Sequence, residues 1–269
     1  MAKMHKLKII ALASVVGLTF GTGALASSRT IALTADVGYV NIRHLPGGNG
    51  KINPIRLQAI KETATELGAR GALAWQSLHI DQALQQASQH LDHVFNFTQL
   101  LIDNDVLPPV ITQSNDDLTL DNDNTIRLAS KMYEIVSPAR FITAAPTWRS
   151  YLWMDYKKPT LPSQTLFPTT KAEAQAWNYY LKQGWLSGIQ QANEIFRENL
   201  ARLKRDYSGM VLYNQLLAQH MVSKPFVAKA DLGVTGNGNK IRINDQVLRI
   251  TAASQLQPDA AKWTPVITK

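Results

Sequence analysis

Cysteine is absent from all 269 residues, so no disulfide can form and no thiolate is available as nucleophile or metal ligand. Other signatures of chemistry are missing too. There is no GxSxG nucleophile elbow, no HExxH zinc motif and no GxxxxGK[ST] phosphate loop. Charge of one sign never accumulates into a block of five or six residues, and there is no arginine-rich arm, which argues against direct nucleic-acid binding. After the first 26 residues, no apolar run approaches the roughly 20 residues that a membrane-spanning helix needs.

The N-terminus reads as an export signal. Lys3, Lys6 and Lys8 form a basic region, Ile9 to Phe20 is an apolar run of twelve, and Ala24-Leu25-Ala26 is a small-x-small cleavage site. Cleavage after residue 26 removes three lysines and lowers the net charge from +8 to +5, with 25 basic residues left against 20 acidic. A modest positive charge spread along the chain reads as solvated surface. Residues 27–53, with Pro46-Gly47-Gly48-Asn49-Gly50, read as a flexible arm, and 54–269 as a single domain long enough to bury a core without staples.

Hydrophobic periodicity divides that domain. Asn53-Pro54 is a helix start, followed by an apolar stripe at Ile55, Ala59, Ile60, Ala64 and Leu67, which Gly68 and Gly71 interrupt. A second helical pattern runs from Asp81 to Leu101, and Asp103 to Asp105 with Pro108-Pro109 end it. Leu118 to Leu120 and Thr125 to Leu128 alternate on either side of an Asp/Asn turn, a hairpin. Phe141 to Thr143 and Trp148 to Trp153 read as further strand or irregular core segments. Thr170 and Glu173 form a capping box into a helix that Gly184-Trp185 should bend or break. From Phe226 onward, short alternating segments separated by Thr235–Asn239 and Asn244-Asp245 predict a β-meander, with Trp263 pinning the end to the core. The class is therefore α+β: helices flanking a central hairpin and a C-terminal antiparallel β-meander.

Several side-chain groups invite a functional reading. His90 and His93 stand three apart on a predicted helix, but no third metal ligand is evident nearby. Asp116, Asp117, Asp121 and Asp123 fail the EF-hand spacing, since Thr125, Ile126 and Met132 fall where ligands and glycine belong, and they suit turn bonding instead. Glu194 and Glu198 lie among Arg197, Arg202 and Arg205, an ion-paired solvent face. No catalytic, metal or cofactor residues are assigned. The aromatic set Trp148, Arg149, Tyr151, Trp153, Trp177 and Trp185 has the composition of an interface hot spot, and filling the core is its competing explanation. Gly184, Gly188 and Gly209 either bend a helix or admit another backbone closely.

A set of motifs recurs in order along the domain: LGARGALAW at 67–75, LPPVI at 107–111, WRSYL at 148–152, GW-x2-G-IQQAN at 184–193, RDYSGM at 205–210, GVTG at 233–236 and IND at 243–245. Together they resemble the DotC-like family of type IVB secretion and conjugal transfer systems, from about Pro54 to Trp263. The resemblance implies a non-catalytic subunit of an outer-membrane core complex, exported to the periplasm or the periplasmic face of the outer membrane. It implies ring assembly with a DotD-like lipoprotein and a DotH-like protein. Members of that family are typically lipoproteins attached through a signal-end cysteine, and this chain departs from the pattern by having none. Two other readings remain open for an exported chain of this composition: a periplasmic peptidoglycan hydrolase or wall-binding protein, and a periplasmic small-ligand-binding protein.

Overall fold

The computed structural model describes residues 39–40, 45–46 and 52–264, apart from 123. The expected signal peptide and most of the arm lie outside the described residues. The fold is mixed α+β. Its elements in chain order are α1 (Pro54–Gln86), α2 (Ser88–Val94), β1 (Val106–Leu107), β2 (Val110–Asn122), β3 (Thr125–Ser137), β4 (Arg140–Phe141), α3 (Trp148–Leu152), α4 (Lys171–Ala218), β5 (Phe226–Asn237) and β6 (Lys240–Ala252). The chain divides into two compact units, Met1–Ser77 with Tyr156–Ala192, and Leu78–Asp155 with Asn193–Lys269, and α1 and α4 each contribute a segment to both.

In the first unit, α1 starts as its sequence requires: the Asn53 side chain accepts the Ile55 N–H at 2.9 Å, with Pro54 at the first helical position. Of the expected stripe, Ile60, Ala64 and Leu67, joined by Ala72, pack on Trp177, Leu181 and Trp185 of α4, whereas Ile55 is 81% exposed and lies off the core. Neither helix breaks at its glycines, contrary to the expected interruptions at Gly68, Gly71 and Gly184. A Cβ on Gly184 would overlap the Thr65 carbonyl, and one on Gly68 the Leu181 carbonyl. These positions are glycine because the two backbones touch there, and the packing outweighs the propensity cost of about 1 kcal/mol per glycine. The capping box holds with a shift of one residue on its return arm: Thr170 Oγ1 accepts the Glu173 N–H at 3.3 Å, and Glu173 Oε2 accepts the Thr169 N–H at 2.9 Å. Two described pieces of the arm are tied to α4: Asn178 bonds both backbone groups of Val40 (3.1 and 2.9 Å), and the Lys171 N–H donates to the Pro46 carbonyl at 3.3 Å.

In the second unit, the helical pattern expected from Asp81 to Leu101 is divided. Its first residues belong to α1, Ala87 separates α1 from α2, and a 3-10 turn covers Phe97–Leu100. Asn104 and Asp105 then both take left-handed φ (64° and 55°), reversing the chain so that Ile102 donates to the Val106 carbonyl at 2.9 Å. The segment Trp148–Leu152 is a short helix, α3, and not strand. At the other end, α4 closes with His220 in the left-handed conformation (φ 56°). Met221 donates to the Leu216 carbonyl at 2.9 Å and His220 to Leu217 at 3.1 Å, a Schellman motif built without glycine.

The expected C-terminal meander is a single long hairpin. Asn244-Asp245 does not reverse the chain. Asn244 and Gly233 take positive φ (58° and 69°) and absorb a register shift inside β5–β6, where Thr235 Oγ1 donates to Asp245. The reversal comes at Gly238-Asn239, where the Asn237 side chain accepts the Asn239 and Lys240 N–H groups, each at 3.1 Å. The end of the described chain is held by the Thr264 N–H on the Gln219 carbonyl at 2.9 Å. Trp263 itself bonds locally, to the Gln257 carbonyl at 2.8 Å, and stays 39% exposed.

Candidate functional site

The six aromatic and arginine candidates separate by position. Trp177 and Trp185 are buried in the core of the first unit, Trp177 against Phe167 and Trp185 against Trp75. The other four surround α3 in the second unit. Thr147 is extended ahead of that helix, and its carbonyl accepts the Ser150 N–H and Oγ–H at 3.1 and 2.7 Å. The Trp153 N–H closes the turn on the Arg149 carbonyl at 3.0 Å.

This single turn fans its side chains apart. Trp148 is buried, and its indole N–H donates to Asp92 Oδ1 on α2 at 2.7 Å. Arg149 straddles the same carboxylate, Nη1 to Oδ1 at 2.6 Å and Nη2 to Oδ2 at 3.2 Å, with its guanidinium 4.3 Å from the centre of the Trp148 ring. The Arg149 and Trp148 hydrogen bonds hold the Asp92 carboxyl below its ordinary range. Tyr151 stacks on Phe97 at 5.8 Å and donates its hydroxyl to Asp206 Oδ2 on α4 at 3.1 Å. Burial first, then the neighbouring Asp206 charge, pushes the Tyr151 phenol up to about 12. Trp153 is 45% exposed, directly before Met154, which is buried and whose N–H donates to Asp81 at 3.2 Å. Of the six, Arg149 and Trp153 therefore present surface, while Trp148, Trp177 and Trp185 are interior.

Sequence reasoning passed over an exposed apolar feature of the described residues. In hairpin β2–β3, Leu118 pairs with Leu128 and Leu120 with Ile126, so strand alternation puts all four on one face. All four are more than half exposed, from 57% to 74%. In hairpin β5–β6, Val234 pairs with Ile243 and Gly236 with Ile241, giving a second aliphatic face whose three side chains are 69–75% exposed. The base of hairpin β2–β3 differs from its tip. Ile111, Tyr133 and Ile135 at the base of β2–β3 pack with Tyr213 and Leu216 of α4. Alternation was visible in the sequence at both places, but alternation does not say whether the apolar side meets a core.

Among the described residues each hairpin is a two-stranded sheet on its own. A lone hairpin is marginal in water, and an apolar strand with open edges favours pairing with another chain. Exposed contiguous apolar surface of this kind marks an interaction site. Other chemistry is sparse. No group of three His, Asp or Glu among the described residues is placed to hold a metal, and no described helix is long and apolar enough to cross a membrane. A surface depression of about 500 Å³ is lined by Pro54, Ile55, Gln58, Ala59 and Glu62, with a single carboxylate.

The chain is a component of a type IV secretory system. It belongs to the T4SS_TraI family, described as type IV secretory system, conjugal DNA-protein transfer, whose model matches residues 54–265 and so takes in both hairpins and α3. No curated protein matches the chain.

Proposed function

We propose that this protein is a non-catalytic, DotC-like structural subunit of the outer-membrane core of a type IVB secretion or conjugation system. In this reading it is exported and works at the periplasmic face of the outer membrane, in a ring with a DotD-like lipoprotein and a DotH-like protein. The observation that carries the reading is the pair of hairpins with exposed aliphatic faces in a chain of a conjugal transfer family. Arg149 and Trp153 add an exposed aromatic and basic patch of the composition favoured at interfaces. Lacking a cysteine for a lipid, the chain is held at the membrane by contacts with its partners.

The test is affinity isolation of the tagged chain from its native membranes, with mass spectrometry of what accompanies it and negative-stain imaging. Ring particles containing other secretion subunits are expected. A lone monomer released with the periplasmic contents would refute the assembly role and return the wall-binding and ligand-binding readings to the front.

A further inference from the structure

The tip of hairpin β5–β6 has two unlike faces. Val234, Ile241 and Ile243 make the aliphatic one, and all three are exposed. Strand alternation puts Lys240 and Arg242 on the other face, opposite Asn237 and Thr235. Both cations are exposed, and neither has a carboxylate partner among the described residues. Asp245 on the same strand is half-buried and accepts the Thr235 hydroxyl. Over its full length the hairpin carries Lys229, Lys240, Arg242 and Arg249 against Asp231 and Asp245. It is also a poor template for a further strand. Gly233 on β5 and Asn244 on β6, both at positive φ, interrupt the ladder, and irregularities of this kind together with edge lysines blunt strand edges.

We propose that hairpin β5–β6 lies flat on the surface of an anionic phospholipid bilayer. Val234, Ile241 and Ile243 enter the outer acyl region, and Lys240 and Arg242 bind lipid phosphates. A backbone carried at headgroup depth points one face of the hairpin toward the acyl chains and leaves the other among the phosphates. The long lysine and arginine stems then set their charges in the phosphate layer. Water and phosphate oxygens satisfy the open strand edges at that depth. Hydrocarbon would not, so the hairpin rests on the bilayer and does not span it. An anionic leaflet attracts the cations as well as accepting the aliphatic face, whereas an acidic protein surface would match the cations alone.

Hairpin β2–β3 lacks this character. β2 carries Asp116 and Asp117 with no lysine or arginine, so an anionic surface repels it and its aliphatic face is left to protein partners. The inference rests on the proposed place at the outer membrane. It deepens that reading by adding a lipid contact at β5–β6 to the contacts with partner subunits.

Sedimentation of the full-length protein with vesicles tests it, using phosphatidylcholine alone and phosphatidylcholine mixed with phosphatidylglycerol. Binding to the anionic vesicles is expected to be about tenfold tighter or more, and to weaken as salt is raised. Lys240→Gln with Arg242→Gln should remove that preference. Ile241→Asn with Ile243→Asn should weaken binding to the anionic vesicles about tenfold. Circular dichroism and thermal melting establish that both variants fold. Because the chain has no cysteine, Ile243→Cys can carry a single polarity-sensitive fluorophore, whose emission is expected to shift to the blue on anionic vesicles. Four results would each overturn the proposal: no vesicle binding by the unaltered chain, equal binding to the two compositions, variants that bind as the unaltered chain does, or an unshifted fluorophore on a bound chain. Loss of partner subunits by the variants, when the unaltered chain ignores vesicles, would reassign the hairpin to a protein contact and overturn it as well. Co-isolation of the unaltered chain with other secretion subunits is scored separately, so the lipid contact can fail while the subunit reading stands.

Discussion

Gly184 of α4 lies directly against the backbone carbonyl of Thr65 on α1, with no room for a Cβ between them. The contact sets how closely the two long helices approach, and through it how Trp177 and Trp185 are enclosed. Valine at 184 must push the backbones apart and open the core around those indoles. A loss of about 2–3 kcal/mol is expected for Gly184→Val, read by chemical denaturation. An exposed glycine would instead gain stability on substitution by a helix former, and that result would show that the helices do not touch there.

The Asp92 clamp predicts a pH dependence. Its carboxyl is depressed in the folded chain by Arg149 and Trp148, so the contribution is fully present above the ordinary aspartate value of 3.8. It is lost as pH falls below that value through the folded one. Asp92→Asn should flatten the acid limb of the stability curve, and Arg149→Ala should flatten it in the same way. Two variants with acid limbs as steep as the unaltered chain would show that the pair does not couple folding to pH.

Tyr151 works in the opposite direction. Its phenol titrates near 12 when folded, against an ordinary value of 10.0, so the protonated form is favoured in the fold. The stability it adds is present below pH 10 and is lost as pH rises from 10 toward 12. Burial also raises the Tyr207 and Tyr213 phenols, so absorbance titration should show the late-ionising tyrosines reduced by one in Tyr151→Phe. The same change removes the hydroxyl bond to Asp206, which costs about 1 kcal/mol.

The base and the tip of hairpin β2–β3 should respond differently. Ile111 is 1% exposed and belongs to the core with Tyr213, so Ile111→Ala should cost about 2–4 kcal/mol. Leu128 at the tip is 74% exposed, and Leu128→Asn should change stability by no more than about 0.5 kcal/mol while weakening recovery with other secretion subunits. Equal destabilisation by the two changes would mean that the tip is covered within the chain.

Trp153 offers the matching test beside α3. Since it is 45% exposed, Trp153→Glu should leave a folded chain that no longer co-isolates with other secretion subunits. Unfolding would place the indole in the core instead.

How far these features were legible depended on whether a local rule decided them. The 3.6-residue stripe from Ile60 to Leu67, the Asn53-Pro54 start and the Thr170 cap were legible because each is set by neighbours within one or two turns. Trp148 to Leu152 was not. Five mostly bulky residues carry no clear period, and the short helix exists because Ser150 closes the turn on the Thr147 carbonyl and Asp92, distant in sequence, anchors its first two side chains. The reversal at Asn244-Asp245 failed for a related reason: a left-handed asparagine serves a turn or a bulge equally well, and the strand opposite decides which.

By itself, then, the sequence determined the class of elements, the helix start signals, the absence of disulfides and the order of motifs that marks a secretion family, because all of these are properties of residue types and short spacings. Only the tertiary structure decided that the glycines of α4 mark a touching backbone and not a break, and that most of the aromatic candidates are interior. It also decided that the leucines and isoleucines at the hairpin tips face outward. Alternation specifies two faces of a strand, and which of them meets a core depends on what the rest of the chain brings against it.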